Sequence, residues 1–225
     1  MRNAIVIVAL AGLAGLTSAD TVANWNFNDQ GLPAGGFGFQ TSDFPQNADV
    51  GTGLFTIGNF NGDNTAGVYN WVQSFAGTTT AAIGGASSGG SFAFQGAANQ
   101  GVTNNGAQAT FSFNGASYTS LMFDFARRGT GTGFNNVTIE LFDAGSSLGV
   151  IDTLGGATST WIASNYDISA LDGVADASIV FTFDGASSDT GNNRLDNVTI
   201  SGIIPAPGAA ALLGLGGLVG SRRRR

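Results

Sequence analysis

Between residues 20 and 204 apolar and polar side chains alternate with a period of two, in short runs broken by clusters of Gly, Asn, Ser and Asp. That period sends successive side chains to opposite faces of an extended chain, so each run is a strand with one face toward a core and one toward water. Such runs occupy residues 23–28, 54–59, 68–73, 92–95, 109–114, 120–127, 136–143, 148–153, 162–167, 178–184 and 195–201. A helical alternative would draw on Leu, Glu, Lys and Met; the chain has no Lys, one Glu (Glu140) and 2 Met, against 36 Gly and 17 Phe. The pattern predicts an all-β protein, a single antiparallel β-sandwich of the jelly-roll kind. No Pro-rich linker divides the stretch, so it is one domain, and two low-complexity segments, 76–90 and 96–106, are expected as long surface loops.

Composition removes several kinds of chemistry. With no Cys and no His there is no disulfide framework, no thiolate nucleophile and no imidazole for acid–base or zinc work, so a triad hydrolase is excluded. A hydrophobic fraction of 43% keeps the chain out of the disordered class although only 10% is charged. The formal charge is −7, but five of the eight arginines (Arg2 and Arg222 to Arg225) lie in the terminal segments. Residues 20–205 keep Arg127, Arg128 and Arg194 against fifteen acids, 3 − 15 = −12, a body that repels nucleic acid and anionic membranes alike.

The two ends differ from the body. Residues 1–19 have the build of a secretory signal, a helix expected to precede the sandwich: Arg2, an apolar core from Ala4 to Leu16, and the small residues Thr17, Ser18 and Ala19 at a cleavage point. At the other end Pro205, Ala206 and Pro207 stop the last strand and expose the chain to a processing enzyme. A short hydrophobic helix follows, carrying Leu212, Leu213, Leu215 and Leu218, and then Arg222, Arg223, Arg224 and Arg225. The apolar segment 208–220 makes roughly 20 Å of helix, short for a comfortable span, and the arginines would stay on the cytoplasmic side of the inner membrane.

This order, Pro-x-Pro, a Leu/Gly/Ala helix and a terminal Arg cluster over residues 205–225, resembles the PEP-CTERM protein-sorting tail of Gram-negative bacteria, with Ala206 where many members have Glu. The resemblance implies recognition by an exosortase-type membrane protease, a transient stay in the inner membrane, removal of the tail near Pro205 to Pro207, and delivery to the outer surface or to secreted exopolysaccharide. A permanent, uncut anchor is the alternative. The chain then divides into a signal (1–19), a sandwich domain (20–204) and a sorting tail (205–225).

Residues 118–202 resemble the jelly-roll domains found upstream of such tails, through Leu121 to Arg128, Ile179 to Phe183 and Arg194 to Ile200. Similar sandwiches include carbohydrate-binding modules and lectin-like domains, many of which hold a structural ion. In the last strand strict alternation puts Asp196 inward with Val198 and Ile200, and in the first it groups Trp25, Phe27 and Asp29. If these strands pair antiparallel, Asp29 and Asp196 meet at one edge of the core and need compensation. A structural Ca²⁺, helped by Asn28 or Asn197, would supply it. The alternative is that Asp196 accepts backbone N–H bonds or pairs with Arg194 or Arg127. Arg127 and Arg128 end a strand with their side chains on opposite faces; Arg127 is expected to reach over the core's rim to an acid, the alternative being a role in binding a charged glycan. Tyr69 and Trp71 fall on one face of a strand and could stack on a sugar ring or could be core. No pair of Asp residues is singled out as a glycosidase pair. The expectation is a non-enzymatic surface or matrix protein associated with exopolysaccharide in a structural or adhesive role; the alternative is a carbohydrate-binding module recognising a specific glycan.

Overall fold

The computed structural model describes residues 18–28, 39–60, 64–65, 68–69, 71–97 and 104–205. The signal segment through residue 17, Asp29, and the tail from Ala206 onward, with its leucines and arginines, lie outside them.

Among the described residues sixteen strands follow one another: β1 (Asp20–Trp25), β2 (Phe39–Gln40), β3 (Gln46–Asn47), β4 (Val50–Gly51), β5 (Gly53–Gly58), β6 (Asn64–Thr65), β7 (Val68–Tyr69) and β8 (Val72–Ala76), then β9 (Gly90–Gln95), β10 (Ala107–Phe113), β11 (Thr119–Gly129), β12 (Asn136–Asp143), β13 (Ser146–Gly155), β14 (Ile162–Asp167), β15 (Ala177–Asp184) and β16 (Asn192–Ile203). Helix is confined among the described residues to two three-residue 3₁₀ turns. One sheet runs β14-β11-β16-β1-β4, with β9 also on β16 and β8 on β9; the facing sheet runs β13-β12-β15-β10-β5-β3; β2, β7 and β6 form a small third sheet. Every pairing is antiparallel. The protein is an all-β antiparallel sandwich.

The period of two explains the core. In β10 the apolar Ala107, Ala109, Phe111 and Phe113 are buried and the polar residues between them are not fully so. Facing rows from the two sheets interdigitate: Phe92 from one and Phe55 from the other meet edge to face at 4.8 Å, and Phe111 stacks on Phe55 at 4.7 Å. Trp25 of β1 fits in fully buried, edge-on to Phe111 at 5.1 Å. Each such aromatic pair contributes about 0.5–1.5 kcal/mol beyond the area it buries.

All the predicted strands are present, but the run 68–73 is divided into β7 and β8. The strands not foreseen, β2, β3, β4 and β6, have two residues each, too few to show a period. The segment between β8 and β9 is strand-free as expected, yet it folds onto the first sheet, where Asn197 donates to the carbonyls of Thr78 and Thr80 at 2.7 and 2.9 Å. In the other predicted loop Ala97 and Asn104 are fully buried.

First and last strands do pair antiparallel, Asp20 opposite Gly202 and Trp25 opposite Val198. The face expected for Asp196 is wrong. Leu195, Val198 and Ile200 all join the core, and the odd step from 195 to 198 breaks alternation. Asn197, at φ +51°, takes up the extra residue, while on β11 the register moves from Asp124 opposite Thr199 to Ala126 opposite Asp196. The bulge turns Asp196 away from the core and beneath the 77–89 segment.

Candidate functional site

Two adjoining concave surfaces lie at one end of the sandwich, around the turn after β4. Gly51 has φ +77°, and a Cβ there would lie 2.1 Å from the Val22 carbonyl oxygen, so the backbone approach needs glycine. Thr52 N–H donates to that carbonyl at 2.9 Å, Asp49 N–H to the Asn24 carbonyl at 2.7 Å, and Asp49 Oδ2 accepts Asn26 N–H at 2.6 Å. The turn is thereby fixed over β1 as a ridge. On one side is a cavity of about 530 Å³ lined by Asn47, Leu54, Ser112, Phe113, Asn114 and Asp176; on the other, one of about 510 Å³ lined by Thr21, Ser117, Tyr118 and Ile204. Gly51, Thr52 and Asn114 border both.

Leu54 and Ile204 are 42% and 47% exposed at these walls, beside amide, hydroxyl and carboxylate groups. Apolar floors with a few polar groups at the rim suit a sugar, whose ring faces carry C–H groups and whose edges carry hydroxyls. Each cavity has the volume of a small-molecule site. Of these residues the sequence offers only Tyr118, one of five aromatics (with Tyr69, Trp71, Trp161 and Tyr166) that could stack on a sugar or be core; the others come from five separate segments and carry no shared signal.

Asp196 occupies a second place of chemical interest. It is buried, and it accepts N–H from Thr78 at 2.6 Å and from Asn197 at 2.8 Å. Burial pushes its pKa up to about 7, against the pull of those two bonds. It pairs with neither Arg127 nor Arg194; the alternative of backbone N–H bonds describes it. A Cβ on Gly77 would lie 2.1 Å from the Gly90 carbonyl oxygen, 2.2 Å from that of Ser88 and 2.5 Å from Asp196 Oδ2, so three oxygens converge beside Gly77. Asn28 closes the same corner, donating to the Ser87 carbonyl at 2.9 Å and accepting from Gly90 N–H at 2.9 Å. Carboxylate and carbonyl oxygens are the ligand type that a hard cation takes. Among the described residues no three Asp or Glu gather, so carbonyls would supply most of the ligands. Asp29 lies outside the described residues.

Tyr69 and Trp71 do not share a strand: Tyr69 ends β7 and Trp71 lies in the turn before β8. Tyr69 is half-buried, edge-on to Phe44 at 5.9 Å and Phe60 at 6.5 Å. Trp71 is half-buried, with its indole N–H enclosed and without a partner among the described residues. Among the described residues Arg127 reaches no acid by hydrogen bond; it donates to the Gly155 carbonyl at 3.2 Å, and its Nε is enclosed without a partner there. Beside it, Tyr166 donates to Asp152 at 2.6 Å, and burial with that bond pushes its pKa up to about 12. Of the expected processing residues, Ala19 and Pro205 are exposed, both at the same end of the sandwich, since Asp20 pairs with Gly202.

No protein-family model and no curated protein matches the chain. Among solved structures, the K3 cleaved adhesin domain of Lys-gingipain from Porphyromonas gingivalis W83 aligns over 82% of this chain and 99% of its own, at 14% identity and TM-score 0.49. A family 61 carbohydrate-binding module in complex with β-1,4-galactotriose aligns over 65% of this chain and 86% of its own, at 9% identity and TM-score 0.41. The C-terminal family 22 carbohydrate-binding module of Clostridium thermocellum Xyn10B aligns over 78% and 98%, at 15% identity and TM-score 0.40. The likeness is one of sandwich architecture.

Proposed function

We propose that the sandwich is a non-catalytic glycan-binding domain of an exported surface protein, with its binding site in the twin cavities beside the Gly51–Thr52 turn. The observation that supports it is the pairing there of exposed Leu54 and Ile204 with Asn47, Ser112, Asn114 and Asp176 on a turn held by backbone hydrogen bonds. A rigid site of this kind binds without the ordering cost that a mobile one carries. A glycan array probed with the purified chain tests the reading: saturable binding to one glycan class is expected, and no saturable ligand overturns it. Tyr69 and Trp71 are the competing platform, distinguished on the same array by Trp71→Ala.

The export reading concerns the chain's ends. A signal removed after Ala19 and a tail cut near Pro205 to Pro207 by an exosortase-type protease would release the body to the outer surface and its exopolysaccharide. In support, Ala19 and Pro205 lie outside the sandwich strands and are open to solvent. The mass of the protein recovered from cells reports both cleavages; the uncut mass in the cytoplasm contradicts them.

We further propose that Ca²⁺ is held by Asp196 with the carbonyls of Ser88 and Gly90, Asn28 and, from outside the described residues, Asp29. When bound, the ion would neutralise a buried carboxylate and tie the 77–89 segment to β16. Calorimetric melting with chelator, then with excess Ca²⁺, tests it: a rise with Ca²⁺ is expected, and an unchanged midpoint removes the ion.

A further inference from the structure

The body carries three cations, Arg127, Arg128 and Arg194, and the fold gathers them at one end. Arg128 stands directly opposite Arg194 on neighbouring strands β11 and β16. Like charges in that position repel across a short gap, which a fold with fifteen acids to place had the means to avoid. Neither is neutralised: among the described residues the Arg128 side chain forms no hydrogen bond or ion pair. Arg194 donates from Nε to Asn192 Oδ1 at 3.0 Å and lies 4.2 Å over the Phe75 ring, leaving its terminal nitrogens without a described partner. Burial, and then the Arg128 charge, hold the Arg194 pKa below its ordinary value.

The two guanidinium groups border a cavity of about 410 Å³ whose other walls include Thr130, Thr158, Ser159 and Asn192. These walls are held in place. Thr130 Oγ1 accepts Asn192 N–H at 2.8 Å and donates to the Asn192 carbonyl at 3.3 Å, and Thr158 Oγ1 accepts Gly129 N–H at 3.1 Å. Among the described residues neither the Thr158 nor the Ser159 hydroxyl donates a hydrogen bond, and both line the cavity. Two unpaired guanidinium groups beside hydroxyl donors form an anion receptor, since planar N–H forks match carboxylate and sulfate oxygens.

We propose that Arg128 and Arg194 bind a single anionic group, a carboxylate or a sulfate ester, carried on a polysaccharide. This rests on the glycan-binding reading above and adds a second contact, at the far end of β11, roughly 30 Å from the twin cavities. A nucleic acid presents a phosphate at every nucleotide and requires many cations, whereas this body offers a few at one spot and repulsion elsewhere. A glycan with spaced acidic sugars meets both conditions.

The test uses the full chain, the double variant Arg128→Gln/Arg194→Gln and the charge-preserving Arg128→Lys/Arg194→Lys. Affinity electrophoresis in gels holding polygalacturonate, dextran sulfate or uncharged galactan separates a carboxylate from a sulfate source and both from neutral sugar. The expected result is retardation of the wild type by one charged polymer, weakened about tenfold or more in the Gln variant and partly kept in the Lys variant. Retardation by galactan with none by either charged polymer overturns the anion site and leaves the glycan reading standing. Equal retardation of wild type and Gln variant by the charged polymers also overturns it. If no polymer retards the chain, the anion site falls, and the glycan array decides the glycan reading separately. Melting in sulfate against chloride at matched ionic strength gives the independent readout: a midpoint raised by sulfate in the wild type, and less in the Gln variant, is expected, while equal shifts contradict the site. Melting without sulfate checks that the variants are folded.

Discussion

The N–H of Thr78 donates to Asp196 Oδ2 at 2.6 Å, joining the segment between β8 and β9 to a carboxylate on the last strand, 118 residues away. Asn197 completes the contact by donating to the carbonyls of Thr78 and Thr80. One of the contacts that attach this long segment to the sheet is therefore made by a buried, titratable acid.

That acid sets a pH profile. Burial raises the folded Asp196 pKa to about 7, above the ordinary carboxylate value of about 3.9, so the folded chain holds this proton more tightly than the unfolded chain. Stability is fullest at low pH with respect to this group and falls as pH rises from about 4 through about 7. In chelator, the melting temperature is expected to drop between pH 5 and pH 8, and Asp196→Asn is expected to flatten the drop. With Ca²⁺ present the drop should shrink. A flat wild-type profile in chelator would contradict the assignment.

Gly77 and Gly58 make a contrasting pair. A methyl group on Gly77 would meet backbone oxygens of Gly90 and Ser88 at 2.1 and 2.2 Å, atoms that cannot swing aside, whereas one on Gly58 meets nothing within 4 Å. Gly77→Ala should cost about 1–3 kcal/mol, and Gly58→Ala should be neutral or stabilise by a few tenths. Denaturant melts of the two variants decide it.

Phe92 lies at the junction of the aromatic core, with Phe39 at 4.7 Å, Phe55 and Phe94 at 4.8 Å and Phe27 at 5.6 Å. Phe92→Ala leaves a cavity bounded by side chains from several strands, so a loss of about 3–5 kcal/mol is expected in chemical denaturation. Ile204→Ala, at a residue 47% exposed, should change stability by less than about 1 kcal/mol.

The architecture was legible because antiparallel strands covered on one face print their burial in the sequence, as in β10, where the buried pattern follows Ala107, Ala109, Phe111 and Phe113 step by step. Asp196 was placed on the wrong face because one bulge at Asn197 inverts the alternation beyond it, and Asn in a β run does not advertise a positive φ. Tyr69 and Trp71 were joined in one strand because the turn between β7 and β8 carries no Gly or Pro. The twin cavities and the Arg128–Arg194 pair were hidden for a different reason. Both arise from register between strands far apart in the chain, such as Arg128 opposite Arg194, and a single sequence does not state which strands are neighbours.

The most direct test of the central claim is the affinity of the array-identified glycan for the wild type and for Thr52→Trp. Thr52 is exposed and borders both cavities, so an indole there fills them from the ridge without entering the core. The account predicts saturable wild-type binding that falls tenfold or more in the variant while the melting temperature is unchanged. Undiminished binding by Thr52→Trp, or no saturable glycan for the wild type, would contradict it.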